Sequence, residues 1–118
     1  MKLVYASRTG NVEKLVSRLA TDNVLKITTG NETVEEPVFL ITYTDGAGVL
    51  PEVVASFVKN NRSYIKAAAV SGNQERHPNT FAGAAKVLTD TYQIPVDLIF
   101  NKDGDDNTVA AVNKVLSD

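Results

Sequence analysis

Three short segments of the chain concentrate hydroxyl, amide and glycine groups that can bind an anion. Each follows an apolar run, and they read S-R-T-G-N at 7–11, T-Y-T-D-G-A-G at 42–48 and S-G-N-Q-E-R-H-P-N at 71–79. In the first segment the side chains of Ser7, Thr9 and Asn11 can donate or accept hydrogen bonds, and Gly10 lets the backbone approach a ligand. A helix pattern follows, and its first N–H groups favour negative charge. The first segment therefore predicts a cradle for an anion, with phosphate as the ligand.

A structural interpretation of the first segment stays open beside this one. Asn11 would then cap the following helix, and the hydroxyls would satisfy a turn. One such loop alone favours the structural interpretation, whereas three similar loops that meet at one place favour a binding site.

The common nucleotide and metal motifs are missing from the sequence. Neither G-x-G-x-x-G nor G-x-x-x-x-G-K-[ST] follows the first apolar run. There is no cysteine, which excludes a thiolate nucleophile and thiolate metal ligands. His77 is the one histidine, so we predict no metal site and interpret it first as a surface loop residue.

Apolar periodicity predicts the elements that carry these loops. Five strand-like runs lie at residues 3–6, 24–27, 38–41, 65–70 and 96–100. The run at 38–41 is the most hydrophobic, which indicates a central strand buried on both faces, and Lys26 inside the second run suits an edge strand. Helical stripes follow, with Pro51 opening the second helix; their apolar positions are Val12, Leu15, Val16 and Leu19, then Val54, Phe57 and Val58, then Phe81, Ala84, Ala85, Leu88 and Tyr92, then Val109, Val112 and Leu116.

Strands that alternate with helices predict an α/β three-layer sandwich around a five-stranded parallel sheet. In the common strand order 2-1-3-4-5, ligands bind beyond the carboxyl ends of the strands, where the order reverses. The loops after the first, third and fourth strands meet there. These are the three polar segments described above.

Composition limits the class of protein. A chain of 118 residues with 43% hydrophobic residues fits one domain with a real core. The net charge of -2 provides no excess of positive charge for binding nucleic acid or an anionic membrane. No apolar stretch approaches the length of a membrane span or of a signal peptide core. We expect a soluble, cytoplasmic protein.

Four longer motifs resemble one known family. They are S-R-T-G-N-V at 7–12, L-I-T-Y-T-D-G-A-G-V-L-P at 40–51, A-A-V-S-G-N at 68–73, and Y-Q-I-P-V followed by F-N-K-D-G between 92 and 104. On these motifs the chain resembles the NrdI family, flavodoxin-like flavoproteins that help to activate class Ib ribonucleotide reductase. The resemblance implies one flavodoxin-like FMN-binding domain over residues 1–118. The sequence departs from the family pattern after S-G-N. The family tends to have an aromatic residue and a glycine there, whereas this chain has Q-E-R-H-P.

The resemblance implies FMN as the cofactor and a role for each loop. The first loop would hold the phosphate, the second would line one side of the isoalloxazine with Tyr43 against the ring, and the third would donate to the pyrimidine edge. Tyr43 could instead be a core aromatic at a strand end, and the glycines of the second loop could form either a redox-linked hinge or a plain turn. The implied cofactor-binding residues are Ser7, Arg8, Thr9, Gly10, Asn11, Val12, Thr42, Tyr43, Thr44, Asp45, Gly46, Ala47, Gly48, Ser71, Gly72, Asn73, Arg76, His77 and Asn79.

The implied function is redox chemistry carried by the flavin. Reduced FMN would react with dioxygen to give superoxide, which would pass to the dimanganese centre of the small subunit of class Ib ribonucleotide reductase and generate its tyrosyl radical. A flavodoxin-type reductase would donate the electrons, and no protein residue would be catalytic.

Two alternatives remain at this stage. A generic electron-transfer flavodoxin would share the fold and cofactor but should crowd acids at the flavin, whereas here Asp45 and Glu75 are balanced by Arg8 and Arg76. A receiver-like phosphoacceptor module is suggested by Asp45 and Lys102, but it needs acidic residues after the first strand, where this chain has Ser7 and Arg8.

Overall fold

Five parallel strands form the centre of the protein in a computed structural model that describes residues 1–45, 48–75 and 83–117. The strands are β1 (Lys2–Tyr5), β2 (Val24–Lys26), β3 (Val38–Tyr43), β4 (Ile65–Gly72) and β5 (Val96–Asn101). They are hydrogen-bonded in the order β2-β1-β3-β4-β5, and every neighbouring pair is parallel. The predicted strand order and the edge position of β2 are therefore confirmed.

Helices follow four of the strands. They are α1 (Asn11–Ser17), α2 (Glu52–Asn61), α3 (Gly83–Tyr92) and α4 (Asp106–Ser117), and a short 3-10 turn at Arg62–Tyr64 leads into β4. Pro51 stands at the N-cap of α2, as its fixed φ predicts. Across the described ranges, no helix has the length and apolar character needed to cross a membrane.

The helices cover both faces of the sheet and make three layers. On one face the apolar side chains of α2 and α3 pack on the sheet, among them Val54, Phe57 and Leu88. On the other face α1 and α4 contribute Val12, Leu15 and Val112. The predicted stripe positions that lie within the described helices therefore face the sheet, as the 3.6-residue period requires.

Strand β3 is buried on both faces, as predicted. Val38 and Leu40 belong to the core under α2 and α3, while Phe39 and Ile41 belong to the core under α1 and α4. All four side chains are at most 1% exposed. Each buried side chain of this size contributes about 1.5–3 kcal/mol, so β3 is the strand on which both cores depend.

Some boundaries differ from the predicted ones. Strands β3 and β4 extend to Tyr43 and Gly72, because Thr42 pairs with Val70 and Tyr43 with Ser71 in the register. Helix α1 stops at Ser17, since the last turn tightens and the N–H of Leu19 donates to the carbonyl of Val16. Leu19 therefore lies beyond the helix, and Phe81 lies outside the described residues.

Candidate functional site

A cleft of about 300 Å³ opens at the carboxyl ends of the central strands. It is formed by the loops after β1, β3 and β4, the three loops that the sequence placed together. Its lining residues are Ser7, Arg8, Thr9, Asn11, Val12, Tyr43, Thr44, Ser71, Gly72 and Asn73. All of them are among the residues predicted to bind a cofactor, and the cleft lies at the point where the strand order reverses.

The first loop turns into α1 through a left-handed glycine. Gly10 has φ +96° and occupies the N-cap position, where it has no side chain to cap the helix. Asn11 is the first residue of α1 and lines the cleft, so it does not cap the helix as the structural interpretation required. The hydroxyl of Ser7 accepts the N–H of Glu13 at 3.2 Å. This loop thus presents two hydroxyls and an amide to the cleft, a donor set that suits phosphate oxygens.

A polar network behind the first loop supports it. The Tyr5 hydroxyl donates to the Glu13 carboxylate, which also pairs with the Lys26 ammonium at 2.6 Å. Burial raises the pKa of Tyr5 to about 12, and the hydrogen bond to Glu13 and the negative charge of Glu13 act in the same direction. The hydrogen bonds from Lys26 and Tyr5 lower the pKa of Glu13, so this carboxylate stays ionised. Sequence reasoning missed Glu13, whose only signal was an acid in the first turn of a helix.

The second loop is closed by a small hairpin. The N–H of Asp45 donates to the Val49 carbonyl at 2.8 Å, and the N–H of Val49 donates back to the Asp45 carbonyl at 2.9 Å. Gly48 has φ +97° inside this turn, and its backbone touches Gly83 at the start of α3 so closely that a Cβ on Gly83 would lie 2.6 Å from the Gly48 Cα. The turn is therefore held against α3 by two residues without side chains.

Thr42 and Thr44 take different positions around the end of β3. Thr42 is fully buried and its hydroxyl donates to the Tyr43 carbonyl at 3.0 Å. Thr44 lines the cleft, and its hydroxyl donates to the carbonyl of Ser71 at 2.9 Å, which ties the second loop to the third. The structure thus brings Thr44 into the cleft but keeps Thr42 inside the sheet.

An ion pair joins the first loop to the second. The Arg8 guanidinium lies 2.7 Å from a carboxylate oxygen of Asp45 and 5.7 Å from the centroid of the Tyr43 ring. Burial and the negative charge of Asp45 raise the pKa of Tyr43, and Arg8 partly opposes this. The Tyr43 phenol therefore stays neutral in the physiological range, with a cation above its ring.

The third loop is held by the end of β5. The Ser71 hydroxyl donates to the Lys102 carbonyl, and the N–H of Lys102 donates to the Gly72 carbonyl at 2.7 Å. The Lys102 ammonium pairs with Glu75 at 3.0 Å, and the side-chain oxygen of Asn101 accepts the N–H of Gln74 at 2.9 Å. The sequence did not indicate these roles for Asn101 and Lys102, because they depend on a neighbouring strand.

The remaining predicted residues do not line the cleft or are not described. Gly10, Asp45 and Gly48 belong to the cleft loops without lining the cavity. The predictions for Gly46, Ala47, Arg76, His77 and Asn79 lie outside the described residues. Within residues 1–45, 48–75 and 83–117, no group of three His, Cys, Asp or Glu side chains is arranged to hold a metal ion.

The fold and the position of the cleft define a flavodoxin-like protein. The chain is similar to oxidised Flavodoxin 1 from Bacillus cereus, with a TM-score of 0.69 and 21% identity over 98% of this chain and 92% of that chain. It is similar also to a short-chain flavodoxin associated with a non-canonical PDU bacterial microcompartment, with a TM-score of 0.70 and 18% identity over 98% and 93% of the two chains.

A narrower assignment comes from the sequence. The family model described as "NrdI Flavodoxin like" matches residues 3–114, so the chain belongs to the NrdI flavodoxin-like family. The resemblance read from the loop motifs is thereby confirmed.

Proposed function

We propose that this chain binds FMN in the cleft between the loops after β1, β3 and β4. The observation that carries the proposal is that ten predicted cofactor residues line one cavity in a member of this family. The hydroxyls of Ser7 and Thr9, the amide of Asn11 and the backbone at Gly10 would hold the phosphate. Tyr43 and Thr44 on one side, and residues 71–73 on the other, would orient the isoalloxazine.

Membership of the family supports the redox role proposed for this chain. Bound FMN would supply the redox chemistry: once reduced, it would give one electron to dioxygen, and the superoxide formed would be the oxidant for assembling the dimanganese-tyrosyl radical cofactor of class Ib ribonucleotide reductase. We propose the small, dimanganese subunit of that enzyme as the partner, a flavodoxin-type reductase as the electron donor, and the cytoplasm as the compartment. The protein itself binds and orients the cofactor and sets the charge around it.

The ion pairs beside the cleft support this role over that of a generic electron carrier. Both acids that the sequence places near the flavin are paired with a base, Asp45 with Arg8 at 2.7 Å and Glu75 with Lys102 at 3.0 Å. A site with neutralised carboxylates repels the reduced, anionic flavin less than an acidic site does. The same two pairs weaken the receiver-like alternative, because Asp45 and Lys102 belong to separate ion pairs.

The first test is a titration of the cofactor-free protein with FMN and with riboflavin, followed by flavin fluorescence. We expect FMN to bind more tightly than riboflavin, since only FMN has the phosphate. Thr9→Val should weaken FMN binding by roughly tenfold, the equivalent of about 1.4 kcal/mol for a hydrogen bond to a charged group, and leave riboflavin binding unchanged. Thr33→Val, in the exposed segment before β3, is the matched control and should change neither.

A second step separates the two flavodoxin-type functions. The reduced FMN-loaded protein is mixed with dioxygen and the manganese-loaded small subunit, and the tyrosyl radical is measured by electron paramagnetic resonance. Radical formation well above that given by free reduced FMN supports the activator role. Tight FMN binding without radical would leave an electron carrier, and equal binding of FMN and riboflavin would overturn the phosphate site.

A further inference from the structure

The Arg8–Asp45 ion pair connects the two loops that we propose hold opposite ends of FMN. Arg8 lies inside the 7–11 loop, beside Ser7 and Thr9, and Asp45 begins the hairpin after β3. Both side chains reach solvent, with 59% and 37% of their surfaces exposed. Neither is locked in the core, so the pair can exchange partners when another charged group arrives.

Arg8 is the positive side chain of the loop that would receive the phosphate. Its guanidinium is held toward the second loop by the carboxylate of Asp45 and by the ring of Tyr43, 5.7 Å away. A guanidinium is also a strong partner for phosphate oxygens, which it can contact with two N–H groups at once. The carboxylate of Asp45 and a phosphate in the 7–11 loop would therefore attract the same cation.

We propose that Asp45 is a specificity-determining residue that limits the affinity of this cleft for phosphorylated ligands by competing with the ligand phosphate for Arg8. The inference rests on the proposed FMN site and deepens it. Asp45 acts here through Arg8. Removal of the Asp45 carboxylate should make the site more selective for FMN over riboflavin, whereas removal of the Arg8 guanidinium should make the site less selective.

The test compares the dissociation constants of FMN and riboflavin for the wild-type protein and for Asp45→Asn, Arg8→Gln and the double variant. Because a partly exposed ion pair is worth about 0.2–1 kcal/mol, Asp45→Asn should tighten FMN binding by roughly 1.4- to fivefold and leave riboflavin binding unchanged. Arg8→Gln should weaken FMN binding by a similar factor. In the double variant the gain from Asp45→Asn should largely disappear, because Arg8 is no longer there to release.

Two controls separate this electrostatic role from a structural one. Asp103→Asn removes an equal charge from the ion pair with Arg18, whose residues do not line the cleft, and should leave the FMN-to-riboflavin affinity ratio unchanged. Arg8→Lys keeps the charge without the planar guanidinium and should fall between wild type and Arg8→Gln. The dissociation constants of a variant are compared only if its melting temperature without ligand matches that of wild type. If Arg8→Gln fails this check, Arg8→Lys takes its place.

The outcomes for the inference and for the proposed function are distinct. If wild type shows no preference for FMN over riboflavin, the phosphate site itself is overturned. If wild type prefers FMN but Asp45→Asn weakens FMN binding, or changes both ligands equally, the competition is overturned and the pair only holds the loops together. Raising the salt concentration should shrink the gain from Asp45→Asn, because both partners are exposed.

Discussion

The carboxylate of Glu32 accepts hydrogen bonds from the backbone of the segment between β2 and β3. It accepts the N–H groups of Thr28 at 2.8 Å, Thr29 at 3.0 Å and Gly30 at 2.9 Å, and the Thr28 hydroxyl at 2.9 Å. Partial burial of the carboxylate opposes ionisation, but these hydrogen bonds outweigh it and lower the pKa of Glu32 to about 2. The ionised form of Glu32 therefore stabilises this turn more than the protonated form does.

Glu32→Gln should make the stability of the protein less dependent on acid. A carboxyl group whose pKa is lowered on folding stabilises the folded state above its ordinary pKa of 4.5 and loses that contribution as the pH falls toward about 2. At neutral pH we expect the variant to be less stable by on the order of 1–2 kcal/mol. The difference should shrink steadily below pH 4.5, as measured by urea unfolding across this range.

The control for this prediction is Glu35→Gln, which removes an exposed carboxylate from the same segment. Its unfolding curves should follow those of wild type. A deficit of Glu32→Gln that stays constant from neutral pH down to pH 2 would contradict the account, because it would show that the lost contact does not depend on ionisation.

Among the elements, α2 is linked to the 28–34 segment by the buried side-chain amide of Asn61. The side-chain oxygen of Asn61 accepts the N–H of Val34 at 3.0 Å, and its NH₂ group donates to the carbonyls of Glu32 at 2.8 Å and Phe57 at 3.0 Å. Asn61 is only 3% exposed. Helix α2 therefore ends on a side chain that also satisfies the backbone of the preceding loop.

Asn61→Ala should cost about 2–3 kcal/mol of stability, because it removes the side-chain partner of the buried Val34 N–H and of the partly buried Glu32 carbonyl. The neighbouring Asn60→Ala is a matched control, since Asn60 is exposed and makes one long contact of 3.4 Å with the Gly30 carbonyl. It should stay within about 0.5 kcal/mol of wild type. Chemical denaturation of the three proteins checks this, and equal losses in both variants would disprove a special role for Asn61.

Sequence patterns predict the elements well because those patterns are local. The apolar run at 38–41 identified β3, and Pro51 identified the start of α2, from residues that are neighbours along the chain. The burial of Thr42 was not foreseen, since it depends on the pairing of Thr42 with Val70 in another strand. The partners of Arg8 were missed for the same reason, because the distance from Arg8 to Asp45 exists only after the sheet has formed.

Across the whole molecule, stability should be graded from the centre of the sheet to its edges. Strand β3 is hydrogen-bonded to β1 and β4 on its two sides, whereas the three-residue β2 pairs only with β1. Hydrogen exchange should therefore be slowest in β3 and β4, whose opening requires global unfolding, and faster by orders of magnitude in the bonded amides of β2. Residue-resolved exchange measures this, and equal protection of β2 and β3 would refute the gradient.

The hydrogen bonds that link Ser71 and Gly72 to Lys102 have a consequence for how the protein is made. The nascent chain emerges from its amino terminus, so the 7–11 loop is available long before the strand that braces the third loop. Residues up to Lys102 must have left the ribosome before the third loop of the cleft can be braced by β5. We therefore expect capture of a ligand in this cleft to be a late event in biosynthesis, and a truncated translation product that ends before β5 should fold part of the sheet yet fail to retain that ligand.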